Sequence, residues 1–125
     1  MNFNYLRELN NLFEHRHDAL ILLCLSRGIA AGDGKPLHFR ELARSIIDQT
    51  GTYIPESNIS RSLPRLKDAR LVTVYDEGTR HPAYRPTRLG EQKAALLALL
   101  LQAMEDHHNQ APTNDPDDPS ERPDG

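Results

Sequence analysis

Apolar residues recur along this chain at two spacings, and the points where one gives way to the other divide it into elements. Over residues 2–14, Phe3, Leu6, Leu9 or Asn10, and Phe13 fall at helical intervals. Residues 16–27 follow with the dense run Ala19–Leu25, which predicts a core helix stopped by Gly28. The pattern leaves open whether these segments form one helix or bend near His15–Asp18. Glycines and a proline mark 28–36 as a loop. Phe39, Leu42, Ala43, Ile46 and Ile47 then define a one-faced amphipathic helix over 38–49. In the next segment, 57–69, Ile59, Leu63 and Leu66 share a face, while Ser57, Asn58, Ser60, Arg61, Arg65 and Asp68 lie mostly opposite. Pro64 removes the backbone bond to the Ser60 carbonyl at a cost of about 3 kcal/mol, which predicts a helix bent near 60–64 or regular only from Leu63. "LVTVYD" (71–76) alternates like a half-buried strand, Glu77–Pro82 turns it back, and "AYRP" (83–86) makes a short return strand. Thr87 suits the N-cap of a last helix, 88–105.

The order is a pair of helices packed in sequence, a β-hairpin at once after them, and helices at both ends. That is the order of a winged helix-turn-helix: a mainly α fold with a small β-hairpin wing and extra N- and C-terminal helices. The stretch "LILLCLSRG…FRELARSI…IPESNISRSLPRLKDARLVTVYDEGTRHPAYRPTRLGE" resembles winged-helix transcriptional regulators of the HxlR and PadR type over about residues 18–92. The resemblance rests on four pieces in order. These are an apolar helix ending in Gly, the F-x-E-L helix, a Ser/Asn/Arg-bearing helix ending in L-x-x-x-x-L-V, and Y-R-P-T-R-L-G after the wing. It implies a homodimeric DNA-binding regulator with the helix at 56–69 in the major groove and the wing at 75–84 on the backbone or minor groove. By position, Ser57, Asn58, Ser60 and Arg61 fall where such families present groove-facing side chains. Arg70 stands where the family usually carries a glycine.

Composition changes the picture mainly at the end of the chain. Residues 107–125 hold five acids against one arginine and four prolines, and they predict a disordered acidic tail after a domain over 1–106. The net charge of −3 therefore conceals a domain of +1, whose basic excess is concentrated in 35–93 with 11 basic and 7 acidic residues. Cys24 is the sole cysteine, and its place in an apolar run predicts an inert core residue in a reducing compartment. No run approaches the roughly 20 apolar residues that span a bilayer, and no secretory signal is visible, so a cytoplasmic protein is expected.

Candidate chemistry is that of binding. Arg61 and Arg65, four apart, share a helix face from which an arginine can bond a guanine edge or clamp a phosphate. The short polar side chains of Ser57, Asn58 and Ser60 suit phosphates and base edges, and equally suit helix capping. At the hairpin tip, Thr79, Arg80 and His81 can reach an adjacent phosphate; Arg85 and Arg88 can instead pair with Glu91 or Asp76. The run "AALLALLL", apolar around nearly its whole circumference, joins the N-terminal helix in predicting a two-fold interface from Phe3, Leu6, Phe13, Leu97, Leu100, Leu101 and Met104. No Walker loop, nucleophile elbow, HExxH motif or zinc-ligand spacing is present, so no enzyme, metal or cofactor is expected. The expected partners are double-stranded DNA and a second copy of the chain, with no membrane. The competing reading is a winged-helix protein-interaction adaptor with weak or no DNA binding.

Overall fold

The computed structural model describes residues 1–110. Its elements are α1 (Asn4–Phe13), α2 (Asp18–Ala31), β1 (Leu37–His38), α3 (Phe39–Thr50), α4 (Glu56–Asp68), β2 (Val72–Tyr75), β3 (Ala83–Pro86) and α5 (Arg88–Gln110). The two N-terminal segments are thus separate helices. α2 is the hub: it packs against α1, α3, α4, α5 and β3. That position explains its pattern, because Ile21, Leu22, Leu23, Cys24 and Leu25 are all buried and leave little polar face. Leu42 and Ile46 of α3, Ile59, Leu63 and Leu66 of α4, and Ala94 and Leu97 of α5 close the same core. Cys24 lies within it, and burial pushes its thiol up to about 11, with Arg27 opposing weakly. A thiol so held stays protonated and unreactive near neutrality, as its place in the apolar run suggested.

The hairpin of β2 and β3 is antiparallel, with Thr73 opposite Arg85 and Val74 opposite Tyr84. β1 adds on the other side of β3, placing Leu37 opposite Tyr84 and His38 opposite Ala83, so the sheet has three strands in the order β1-β3-β2. Helix, helix, strand, helix, helix and hairpin, closed by a long helix, is the winged helix-turn-helix.

Four local expectations need correction. The 28–36 loop is shorter, because α2 runs through Gly28 and ends at Ala31. Gly28 is a packing residue: a Cβ there would sit 2.6 Å from Ser45 Oγ and 3.1 Å from Leu37 Cδ1, so its absence lets α3 and β1 approach α2. Residues 37–38 form β1 rather than the head of a helix. α4 is continuous across Pro64. The proline is exposed, and so is Ser60 whose carbonyl it frees, so water can replace the lost bond while buried Ile59, Ser62, Leu63 and Leu66 hold the other face. α5 continues through His107 and His108 to Gln110, beyond the expected helix end at 105. The remainder of the expected acidic tail lies outside the described residues.

Two backbone features set the wing against the rest. α4 ends with Arg70 N–H bonded to the Lys67 carbonyl and Leu71 N–H bonded to the Leu66 carbonyl, both at 2.9 Å, a Schellman closure. Arg70 takes the left-handed position of that closure at φ 63. Glycine is the usual residue there, and a side chain costs about 1 kcal/mol. On the far side, Thr87 reaches back to the same turn: its N–H donates to the Leu71 carbonyl at 3.0 Å and its Oγ1 to the Arg70 carbonyl at 2.6 Å. Thr87 Oγ1 also accepts the Gly90 N–H at 3.0 Å, which makes it the N-cap of α5.

Candidate nucleic-acid interface

α4 turns its polar side outward. Ser57, Ser60 and Arg61 are exposed and Asn58 is half-buried. The helix starts after Pro55 with no side-chain cap, so neither Ser57 nor Asn58 is spent on capping. Glu56 in the first turn and Arg65 and Lys67 in the last complement the helix dipole. Arg65 is drawn away from that outward face. Its Nε and Nη2 donate to the two carboxylate oxygens of Asp18 at 3.0 and 2.9 Å, and Nη2 also reaches Ser62 Oγ at 3.2 Å. Asp18 opens α2 and its side chain is only 7% exposed, so Arg65 fastens α4 to α2. The bonds to Asp18 hold the guanidinium still more firmly in its charged form. The sequence pairing of Arg61 with Arg65 as joint DNA contacts does not match this division: one is exposed, the other internally bonded.

At the wing, Thr79, Arg80 and His81 are all exposed. Thr79 is a structural residue as well, its Oγ1 donating to the Asp76 carbonyl at 2.7 Å and its N–H donating to the same oxygen at 3.1 Å. That closes a turn in which Asp76 and Gly78 take left-handed backbone at φ 54 and φ 88. Arg85 pairs with neither Glu91 nor Asp76; its Nη2 donates to the Gly34 carbonyl and ties the 32–36 loop to β3. Lys67 is paired with Glu77 at 2.5 Å.

Two grooves join these pieces into one surface. The first, about 280 Å³, lies between α4 and the wing, with Ser60, Pro64 and Lys67 on one side and Glu77 and Gly78 on the other. The second, about 730 Å³, lies between the head of α3 and the wing, with His38 and Arg40 facing Arg80 and His81. Phe39, Pro82 and Tyr84 line both, so the surface runs unbroken from α4 past the wing to α3. Among the described residues, Arg40 and Arg80, which line the second groove, are exposed and have neither a salt bridge nor a side-chain hydrogen bond, and the same holds of Arg7, Arg16, Arg27, Arg44, Arg61, Arg70 and Arg88, which line neither groove. Arg40, Arg44 and His38 were missed in the sequence. The two arginines stand four apart on the polar side of the cleanest amphipathic pattern, which was a usable signal; His38 needed β1 to place it.

The terminal helices carry a second surface. α1 buries only Leu12, on a different face from Phe3, Leu6 and Phe13, which are 71%, 51% and 48% exposed. On α5, Leu100, Leu101 and Met104 are exposed as expected, together with Leu96 and Leu99, which the sequence reading left out. Leu97 is a correction: it is buried in the protomer's own core and has no surface to offer a partner. Its neighbours at 96, 99, 100 and 104 form the outward stripe instead. None of the described helices is long and apolar enough to cross a membrane.

Neither protein-family models nor curated proteins give a match to the chain. Among solved structures, the chain is similar to a proposed transcriptional regulator, TA0346, from Thermoplasma acidophilum. The two are 22% identical with a TM-score of 0.54, over 74% of this chain and 91% of that one. The likeness is one of fold, and the fold is the winged helix.

Proposed function

We propose that the chain is a homodimeric, sequence-specific DNA-binding transcriptional regulator of the HxlR or PadR type. In this reading α4 enters the major groove with Ser57, Asn58, Ser60 and Arg61, and the wing rests Thr79, Arg80 and His81 on the backbone or minor groove. The observation that carries it is the surface from α4 over the wing to α3, on which Arg40 and Arg80 are exposed without an internal partner. An arginine with no internal partner loses none when it meets a phosphate or a guanine edge. Arg65, bonded to Asp18, holds the reading helix in place in this account. A likeness to a protein described as a transcriptional regulator points the same way.

The dimer is inferred from α1 and α5. α5 is about 35 Å long at 1.5 Å per residue, and Leu96, Leu99, Leu100 and Met104 recur along it at helical intervals with no cover from the protomer. A two-fold partner bringing its own α1 and α5 would bury both stripes, and would set two α4 helices against half-sites about 34 Å apart. Sedimentation equilibrium checks this: Leu99→Glu combined with Leu100→Glu should convert a dimer to a monomer of unchanged helical content. A wild-type monomer at micromolar concentration would remove the dimer from the reading.

The DNA assignment is tested by selecting bound duplexes from a random pool and measuring affinity for the selected and for random sequence. Arg61→Ala should weaken the selected site more than random DNA, by about 1–3 kcal/mol of discrimination. Arg80→Ala should weaken both alike and reduce the salt slope by about one. Absence of duplex binding even at low salt would favour the protein-interaction adaptor.

A further inference from the structure

A cavity of about 410 Å³ lies between α1, the start of α2, the end of α4 and the start of α5. It shares no lining residue with either groove beside the wing. Its volume falls in the range of pockets that hold small organic ligands. The space exists because α1 packs on α2 and makes no extended contact with α4 or α5. Leu12 is the one residue that α1 buries, and the Glu8–Lys93 ion pair at 2.6 Å bridges the gap from α1 to α5. Much of the lining is apolar. Leu12, Leu66 and Leu71 are buried, while Leu89 is 43% exposed and leaves apolar surface for an occupant to cover.

The charged part of the lining is unbalanced. Arg65 is held by both oxygens of Asp18 and Lys93 by Glu8, so each cation there has its own carboxylate. Glu14 lines the same cavity and, among the described residues, has neither a salt bridge nor a side-chain hydrogen bond. Its charge reaches Arg65, where it helps to hold the guanidinium protonated. Arg16, two residues along the chain, is exposed but lies outside the lining. Three carboxylates therefore stand against Arg65 and Lys93, and one negative charge is unanswered. An arriving cation gains a partner without breaking a pair, whereas an anion meets the excess of carboxylate. Asn11 and His15 add hydrogen-bonding groups to the same lining.

We propose that this cavity is a binding site for a small organic cation, an ammonium carried on an aromatic or branched aliphatic body. The body covers Leu12, Leu66, Leu71 and Leu89, and the ammonium meets Glu14. The site goes beyond the DNA-binding reading and does not depend on it. Its walls include Arg65 and Leu66 of α4, so an occupant touches the helix that the reading places in the major groove.

The test is titration of the full chain by heteronuclear NMR at about pH 8, above the ordinary histidine range. Three probes of similar size are compared: phenethylammonium, phenethyl alcohol and hydrocinnamate. Phenethylammonium should bind with a Kd below about 1 mM and shift the resonances of Leu12, Leu71 and Leu89. The alcohol should bind about threefold to fivefold more weakly, and the anion about tenfold or more. Glu14→Gln should weaken the cation by about threefold and leave the alcohol unchanged. Leu89→Ser should weaken cation and alcohol alike. Glu105→Gln, altered in the separate groove between α2, α3 and α5, should bind as wild type does. No saturable binding of phenethylammonium up to about 10 mM overturns the inference. Equal affinity for the three probes, or a Glu14→Gln variant unchanged toward the cation, overturns it too. Binding seen only once Leu99→Glu and Leu100→Glu separate the subunits would give the cavity to a second copy of the chain, which also overturns it. The titration contains no DNA, so none of these results bears on the DNA reading.

Discussion

Gly90→Ala should destabilise the fold by about 3 kcal/mol or more, seen as a lower urea midpoint with little change in slope. A Cβ built on Gly90 lies 2.0 Å from the Leu71 carbonyl oxygen and 2.9 Å from its carbon, and both are backbone atoms that cannot rotate aside. The contact arises because Leu71 is where α4 hands over to β2 and Gly90 lies in the first turn of α5, just after the return strand. That oxygen already accepts the Thr87 N–H, and Thr87 caps α5 by accepting the Gly90 N–H. Forcing the two backbones apart therefore strains the cap and the wing root in one step. Gly32→Ala is the fitting control: its nearest neighbour is at 3.5 Å, an ordinary contact, and its loss should stay below about 1 kcal/mol. A Gly90→Ala variant as stable as wild type would show that α5 does not lie against Leu71 in this way.

Arg65→Met should cost about 2 kcal/mol, since it strips the Asp18 carboxylate of both guanidinium bonds while leaving it buried. The figure is set below that for a fully enclosed pair because the Arg65 side chain is 36% exposed and water screens it. Adding Asp18→Leu to Arg65→Met should recover part of the loss, as the stranded charge is then gone. The same variants separate two roles for Arg65. As a fastener between α4 and α2, its removal should leave the ratio of selected-site to random-site affinity unchanged, measured well below the unfolding midpoint. A fall in that ratio to match Arg61→Ala would return Arg65 to the reading face.

The division between these two arginines shows where sequence reading stops. Arg61 and Arg65 are indistinguishable in a periodicity argument, since both lie on the polar side of α4 and neither type of partner is local. Asp18 is 47 residues away from Arg65, and only the packing of α4 on α2 brings it near. Leu97 among the α5 leucines is the same case. In a run apolar all round, the choice of which leucines face inward belongs to α2, which turns Ala94 and Leu97 to the core and leaves 96, 99, 100 and 104 outward. Gly28 and Gly90 are likewise mute in sequence, because a glycine that stops a helix and one that lets a backbone pass close by are the same letter.

What the sequence determined on its own was local. It set the helical spacing of α3, the alternation and turn of the wing, the Thr87 cap and the order of elements, because backbone geometry and burial of one face act over a few residues. Tertiary structure alone decided which cations stay free for an outside partner, which leucines remain for a second subunit, how α4 tolerates Pro64, and how His38 comes to lie against His81. Each of those depends on residues distant in the chain meeting in space, and on which of several equivalent side chains finds a partner first within its own fold.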